Sequence, residues 1–112
     1  MHKQDIARLV APAYFTLSVA RVGWLPQDRL SGLLKFFCFA AEIETKAFVL
    51  ARQRAGSACE ALAQNRGKVP ERVRRQLLEA VRVIDRGLGK VPREELVRAE
   101  ECSRGKVLEA LK

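Results

Sequence analysis

Four arginines that fall on one side of a helix are the residues of this chain best suited to chemistry. Placed at 100° per residue, they cluster roughly opposite an apolar set, with one glutamate, Glu79, among them. A guanidinium is planar, permanently charged and forked, so it binds phosphate oxygens in a way that an ammonium does not. The spacing predicts a phosphate-binding stripe, and a merely solvated helix face is the plain alternative. The stripe consists of Arg72, Arg75, Arg82 and Arg86.

The tetrapeptide Gly-Lys-Val-Pro occurs twice, at residues 67–70 and 89–92. Glycine commonly ends a helix and proline commonly begins one, so each copy predicts a connector followed by a helix. Because a helix N-terminus attracts anions, each copy also predicts a phosphate-sized site beside its own lysine, Lys68 or Lys90. Backbone amides and guanidiniums at such sites contact phosphates and not base edges, so we expect binding with little sequence preference.

The second copy lies in a stretch, residues 87–96, that partly resembles the helix-hairpin-helix DNA-binding motif. Arg93 stands where that motif has a small residue. In the first copy, Asn65 and Arg66 stand where a glycine and an aliphatic residue are wanted. The resemblance implies DNA as a ligand of the second copy. The matching residues are Gly87, Leu88, Gly89 and Leu96.

Positive charge is concentrated in residues 52–93, which carry eleven basic and four acidic side chains, a net of +7. Such a region attracts polyanions, of which nucleic acid is the commonest, although an anionic membrane surface is another candidate. We expect nucleic acid as the partner, with DNA favoured over RNA. The candidate contacts are Arg52, Arg54, Arg66, Lys68, Arg72, Arg74, Arg75, Arg82, Arg86, Lys90 and Arg93.

The side chains that most enzymes and metal sites need are scarce. His2 is the single histidine, so no nucleophile can be paired with an internal histidine base. The cysteines Cys38, Cys59 and Cys102 are widely spaced and form no CxxC pair, which argues against a metal site. We therefore expect a protein that is not an enzyme and that uses no cofactor and no metal.

Helical spacing of apolar residues runs through almost the whole chain and predicts an all-α bundle of four to five helices, folded as a single domain over residues 1–112. Pro12 either kinks the first helix or marks its start, with residues 1–11 as a separate N-terminal arm. Two later helices are expected, one from Pro70 to about residue 86 and one after Pro92.

A long apolar helix, from about residue 29 to residue 55, is expected at the centre of the bundle. Its middle, LLKFFCFAA, is apolar on every side except at Lys35, as in a helix that is covered all round. This stretch is about half of the ~20 residues that a bilayer requires, so we expect no membrane span. The apolar surface of residues around 30–50 exceeds the needs of one small core, which predicts self-association and an oligomer.

These features favour a protein that coats or packages DNA as a self-assembling helical nucleoprotein, of the architectural or the viral capsid and nucleocapsid type. One alternative is a small helical RNA-binding subunit of a larger ribonucleoprotein, such as a CRISPR effector complex. Another is a helical scaffold or adaptor without nucleic acid.

The composition also bears on where the protein resides. No signal peptide is visible, so we expect an intracellular or virion location. A single Asn and two Thr are typical of the avoidance of labile residues in thermophiles. Thiols are expected to be reduced in such a setting, and hyperthermophile cytosols, where one disulfide could form, are the exception.

Overall fold

Helices make up most of the structure. The computed structural model describes residues 3–19, 23–24, 27–65 and 68–110. Within these residues five α-helices pack as a bundle, so the expected all-α fold is confirmed. The helices are α1 (Lys3–Val19), α2 (Gln27–Ala41), α3 (Val49–Asn65), α4 (Glu71–Leu88) and α5 (Arg93–Ala110).

Two short strands join the connections between helices. Strand β1 (Gly23–Trp24) follows α1, and strand β2 (Lys68–Val69) precedes α4. They pair antiparallel, with Gly23 opposite Val69 and Trp24 opposite Lys68. Strands of two residues are too short to show an alternating pattern, so periodicity did not predict them. The pairing ties the connection between α1 and α2 to the connection between α3 and α4.

Helix α2 packs against three other helices, α1, α3 and α5. Phe36 and Phe37 are buried, and their ring centroids lie 5.4 Å apart in an edge-to-face arrangement. Most of the apolar surface that predicted an oligomer is therefore covered by the same chain. Among the described side chains of residues 30–50, the large hydrophobic ones left exposed are Val49 and Leu50.

The expectation of one helix from about residue 29 to residue 55 is wrong, because this stretch forms two helices. α2 ends at Ala41, residues 42–45 are not helical, and the 3-10 helix Lys46–Phe48 leads into α3. α3 then packs against α2, so the chain reverses at residues 42–45. No glycine or proline marks this corner in the sequence. Among the helices of the described ranges, none combines the length and the apolar character needed to cross a membrane.

The corner is held by side chains of α5. The backbone N–H of Glu44 donates to Oε1 of Glu95 at 2.9 Å, and Nη2 of Arg98 donates to the carbonyl oxygen of Glu42 at 2.7 Å. These contacts join residues 51 and 56 positions apart. Ile43, between the two bonded residues, is fully buried. Distant side chains and one buried isoleucine therefore specify the turn, which explains why local spacing did not reveal it.

α1 continues through Pro12, so residues 3–11 are helical and do not form a separate arm. Proline has no amide hydrogen to bond the carbonyl four residues earlier, which usually kinks or ends a helix. Here Val10 and Ala13 are buried on either side of the proline, while Pro12 itself is exposed. Packing of both neighbours against the core keeps the two halves of the helix in place.

Candidate nucleic-acid interface

The surface best suited to an anion is the outward face of α4. The opposite face packs into the core, as the apolar spacing predicted, and all four arginines of the stripe are exposed to solvent. A helix of this kind is amphipathic, with one face fixed by the core and the other free to meet a partner. The buried residues of the core face include Val73, Leu77, Ala80, Val81 and Ile84.

Two of the stripe arginines contact carboxylates of their own helix. Nε of Arg75 lies 3.1 Å from Glu71, and Nη1 of Arg82 lies 3.6 Å from Glu79. The arginine side chains are 77% and 52% exposed. Ion pairs between exposed side chains stabilise a protein little because water competes for both charges. Both arginines therefore remain able to exchange a carboxylate for a phosphate.

Arg74 connects helices instead of facing the solvent. Its Nε and Nη2 donate to the two carboxylate oxygens of Glu71 at 3.0 and 2.7 Å, and its Nη1 donates to the carbonyl oxygen of Leu17 at 3.1 Å. Leu17 lies in the last turn of α1, where carbonyls have no helical partner. Hydrogen bonds from Arg74 and then Arg75 lower the pKa of Glu71 to about 2. Because Arg74 clamps α1 to α4, we leave it out of the proposed interface.

The same arrangement recurs at the start of α5. Nε of Arg98 donates to Glu95 at 2.9 Å, and its Nη2 donates to the carbonyl oxygen of Glu42, which directly follows α2. Hydrogen bonds from Arg98 and from the backbone N–H of Glu44 lower the pKa of Glu95 to about 2. Both clamps use a Glu-x-x-Arg spacing shortly after a Gly-Lys-Val-Pro copy. That spacing is visible in the sequence, but the backbone carbonyls of Leu17 and Glu42 that the two arginines bind are not.

The two Gly-Lys-Val-Pro copies lie at opposite ends of α4, separated by the length of an 18-residue helix, about 27 Å. They differ in local structure, because the first contributes to strand β2 and the second forms the turn before α5. They share a buried valine, Val69 or Val91, and an exposed lysine, Lys68 or Lys90. In both places the valine anchors a helix start to the core.

Carboxylates already lie where the helix starts were expected to attract phosphate. Glu71 is in the first turn of α4, and Glu94 and Glu95 are in the first turn of α5. A carboxylate there interacts with the positive end of the helix dipole and repels a second anion. Contacts to phosphate are therefore expected from the exposed basic side chains and not from the helix starts.

The glycines of the partial helix-hairpin-helix resemblance have ordinary backbone roles. Gly89 has φ −64° and ψ −18°, a conformation open to any residue. Gly87 lies inside α4 against the 3-10 helix, where a Cβ atom would be 2.8 Å from Cδ2 of Phe48. Gly87 thus permits close packing of α4 against a buried phenylalanine ring.

Most of the candidate contacts are free to meet a ligand. Arg66 lies outside the described residues. The exposed candidates with no ion pair to any described residue are Arg52, Arg54, Lys68, Arg72, Arg86, Lys90 and Arg93.

An open cleft of about 240 Å³ lies between the start of α3 and the end of α4. Leu50 is 57% exposed in this region, and Arg86 and Lys90 also line the cleft. The structure thus brings two of the candidate cations beside an apolar side chain that sequence reasoning did not single out. The remaining lining residues are Ala47, Ala51, Val83 and Gly87.

Fold and surface together define a small all-helical bundle with a basic, solvent-exposed helix face. Within the described ranges, no three His, Cys, Asp or Glu side chains come together as a metal site requires. In comparisons with known proteins, no family model, no curated protein and no solved structure matches this chain.

Proposed function

We propose that this protein binds nucleic acid along the phosphate backbone, DNA in preference to RNA, and self-associates on it without reading base sequence. The observation that carries the proposal is the exposed arginine stripe on α4, opposite a face that is buried in the core. Forked, permanently charged donors in a row suit the phosphates that follow one another along a strand. Contacts of this kind position a protein on nucleic acid but carry no sequence information.

Basic side chains extend along the whole length of α4. Lys68 precedes its first residue and Lys90 follows its last, at the two ends of about 27 Å of helix. At 3.4 Å per base pair, this length corresponds to roughly eight base pairs of duplex. One copy that contacts only about eight base pairs can cover a longer nucleic acid only if neighbouring copies of the protein bind side by side and contact each other. The exposed Val49 and Leu50, within the region expected for self-association, support such a contact.

The open cleft between the start of α3 and the end of α4, which Leu50 lines, also supports a second candidate function. This candidate is a small RNA-binding subunit of a larger ribonucleoprotein. In that case the apolar part of the cleft would meet a different chain, and the purified protein would bind RNA without assembling. The third candidate, a scaffold without nucleic acid, leaves the arginine stripe as a solvated surface.

The test is a salt-titrated binding assay with duplex DNA, single-stranded DNA and RNA, followed by electron microscopy of the same samples. The variant Arg72→Ala, Arg75→Ala, Arg82→Ala, Arg86→Ala removes the stripe. A matched control removes four exposed cations outside residues 52–93: Arg8→Ala, Arg29→Ala, Lys35→Ala, Lys46→Ala.

We expect the stripe variant to bind more weakly to every sequence. Its plot of log affinity against log salt should be flatter, by about 0.9 for each lost phosphate contact on duplex DNA. The control loses the same net charge and should keep the parent slope. Equal slopes for the parent and the stripe variant would remove α4 as the interface, and no binding at low salt would favour the scaffold.

A further inference from the structure

Two cysteine side chains meet between α2 and α3. The Sγ atoms of Cys38 and Cys59 lie 3.8 Å apart, although the residues are 21 positions apart in the chain. Both thiols are half-buried, and neither belongs to a disulfide. Along one continuous helix, 21 residues would separate them by about 32 Å. The pair therefore exists only because the chain reverses at residues 42–45.

The surroundings of the pair permit a covalent link. A disulfide requires an S–S distance of about 2 Å and Cα atoms within roughly 7 Å of each other. The buried face of α3 beside Cys59 is built from alanines, including Ala55 and Ala58. Small side chains let this helix lie close to its neighbours. The Sγ atoms, 3.8 Å apart, must therefore come closer by rotation of the two side chains for the bond to form.

We propose that Cys38 and Cys59 are a disulfide-forming pair that locks α2 to α3 and is oxidised by a small-molecule disulfide. The thiol of Cys38 loses its proton, and the thiolate attacks one sulfur of the small disulfide, whose S–S bond breaks and releases one small thiolate. Cys59 then loses its proton and attacks Sγ of Cys38, which forms the intrachain bond and releases the second small thiolate. Two protein thiols are oxidised, one small disulfide is reduced, and the two protons pass to the released thiolates.

The two thiols share one hydrogen bond, in which either sulfur can be the donor. This bond and partial burial raise the pKa of Cys59, and the same bonds form and break if the two cysteines exchange roles. Cys102 provides a comparison within the same chain, because its thiol is exposed on α5 and lies 3.7 Å from Nη1 of Arg98. We expect Cys102 to form at most a mixed disulfide with the small molecule.

The experiment incubates the reduced, folded protein with oxidised glutathione, then counts free thiols by alkylation in denaturant and maps the linked peptides by mass. We expect Cys38 and Cys59 to be lost together as free thiols, with a mass loss of two hydrogens and one linked peptide containing both. The melting temperature should rise by roughly 10 °C, because the bond closes a loop of about twenty residues. Cys102→Ser should behave like the parent, and Cys59→Ser should form no intrachain bond.

Two results would overturn the proposal. One is that Cys38 and Cys59 stay free in the folded protein while Cys102 takes up glutathione. The other is that linkage is no more selective in the folded protein than in denaturant. Both readouts use the unmodified chain, so they hold even if Cys59→Ser does not fold. They are also independent of nucleic-acid binding.

Discussion

Arg98 on α5 donates a hydrogen bond from Nη2 to the backbone carbonyl oxygen of Glu42, which lies 56 positions earlier and directly follows α2. Glu95 orients this guanidinium through a second hydrogen bond and also accepts the backbone N–H of Glu44. One ion pair on α5 therefore fixes the corner that separates α2 from α3. The packing of α3 against α2, and with it the contact between Cys38 and Cys59, depends on this corner.

The first prediction concerns Glu95→Gln. An amide cannot supply the charge that holds Arg98, so we expect the melting temperature to fall by roughly 5 °C. Glu94→Gln is the matched control, because Glu94 is the adjacent residue, is exposed and makes no ion pair to a described residue. Thermal melts followed by circular dichroism measure both. Equal melting temperatures for the two variants would show that the corner does not need this carboxylate.

Acid should weaken the fold for the same reason. Hydrogen bonds, of which the one from Arg98 matters most, lower the pKa of Glu95 from about 4.5 to about 2. The pKa of Glu71 is lowered by the same amount, mainly by its hydrogen bond from Arg74. A carboxylate with a lowered pKa in the folded state contributes stability that is fully present above about pH 4.5 and is lost as the pH falls towards 2. Chemical denaturation at several pH values should show the free energy of unfolding falling across this window. In Glu95→Gln the fall should be smaller, and an unchanged slope would contradict the assignment.

Two neighbouring arginines should behave differently. Arg74→Ala removes the hydrogen bond to Leu17 and the clamp on α1, so we expect a lower melting temperature. Arg72→Ala removes an exposed side chain without an ion pair to a described residue, so the melting temperature should stay within about 2 °C of the parent. The salt slope of binding should fall by about 0.9 in Arg72→Ala. The reverse pattern would mean that Arg72 is structural and that the proposed interface is misplaced.

Much of the fold was predictable because α4 has the clearest periodicity in the chain. Its buried residues and its exposed arginines follow the 3.6-residue repeat, and both helix starts after Gly-Lys-Val-Pro were expected. The corner at residues 42–45 was not predictable, since it contains no glycine or proline and is bonded to residues of α5.

The candidate site was predictable only as a set of charges. Spacing placed Arg72 in the stripe and Arg74 outside it, but it did not predict that Arg74 joins two helices, because the carbonyl that Arg74 binds belongs to Leu17, 57 positions away. The contact between Cys38 and Cys59 was hidden for a related reason. It requires the chain reversal that local patterns do not reveal.

Two glycine substitutions should change stability in opposite directions. In Gly87→Ala the new Cβ atom would lie 2.8 Å from the buried ring of Phe48, so we expect a loss of about 1–3 kcal/mol. In Gly56→Ala nothing lies within 4 Å of the new atom, and removing a glycine from the middle of a helix should gain about 0.5–1 kcal/mol. Urea denaturation measures both. A stable Gly87→Ala would show that Phe48 can move and that the contact is loose.

Self-association should depend on Leu50. We expect Leu50→Ser to bind a short duplex of one footprint as the parent does, because the arginine stripe is intact. On long DNA, Leu50→Ser should lose cooperative assembly, and its apparent affinity should be about tenfold weaker than that of the parent. The reason is that burying half of a leucine side chain stabilises a contact by about 1–1.5 kcal/mol. Val97→Ser is the control, as Val97 is also exposed but lies on α5. Titrations on short and long duplexes, with sedimentation of the complexes, separate the two effects. If Val97→Ser loses cooperativity and Leu50→Ser keeps it, neighbouring copies meet through α5, and the cleft between α3 and α4 is not the contact.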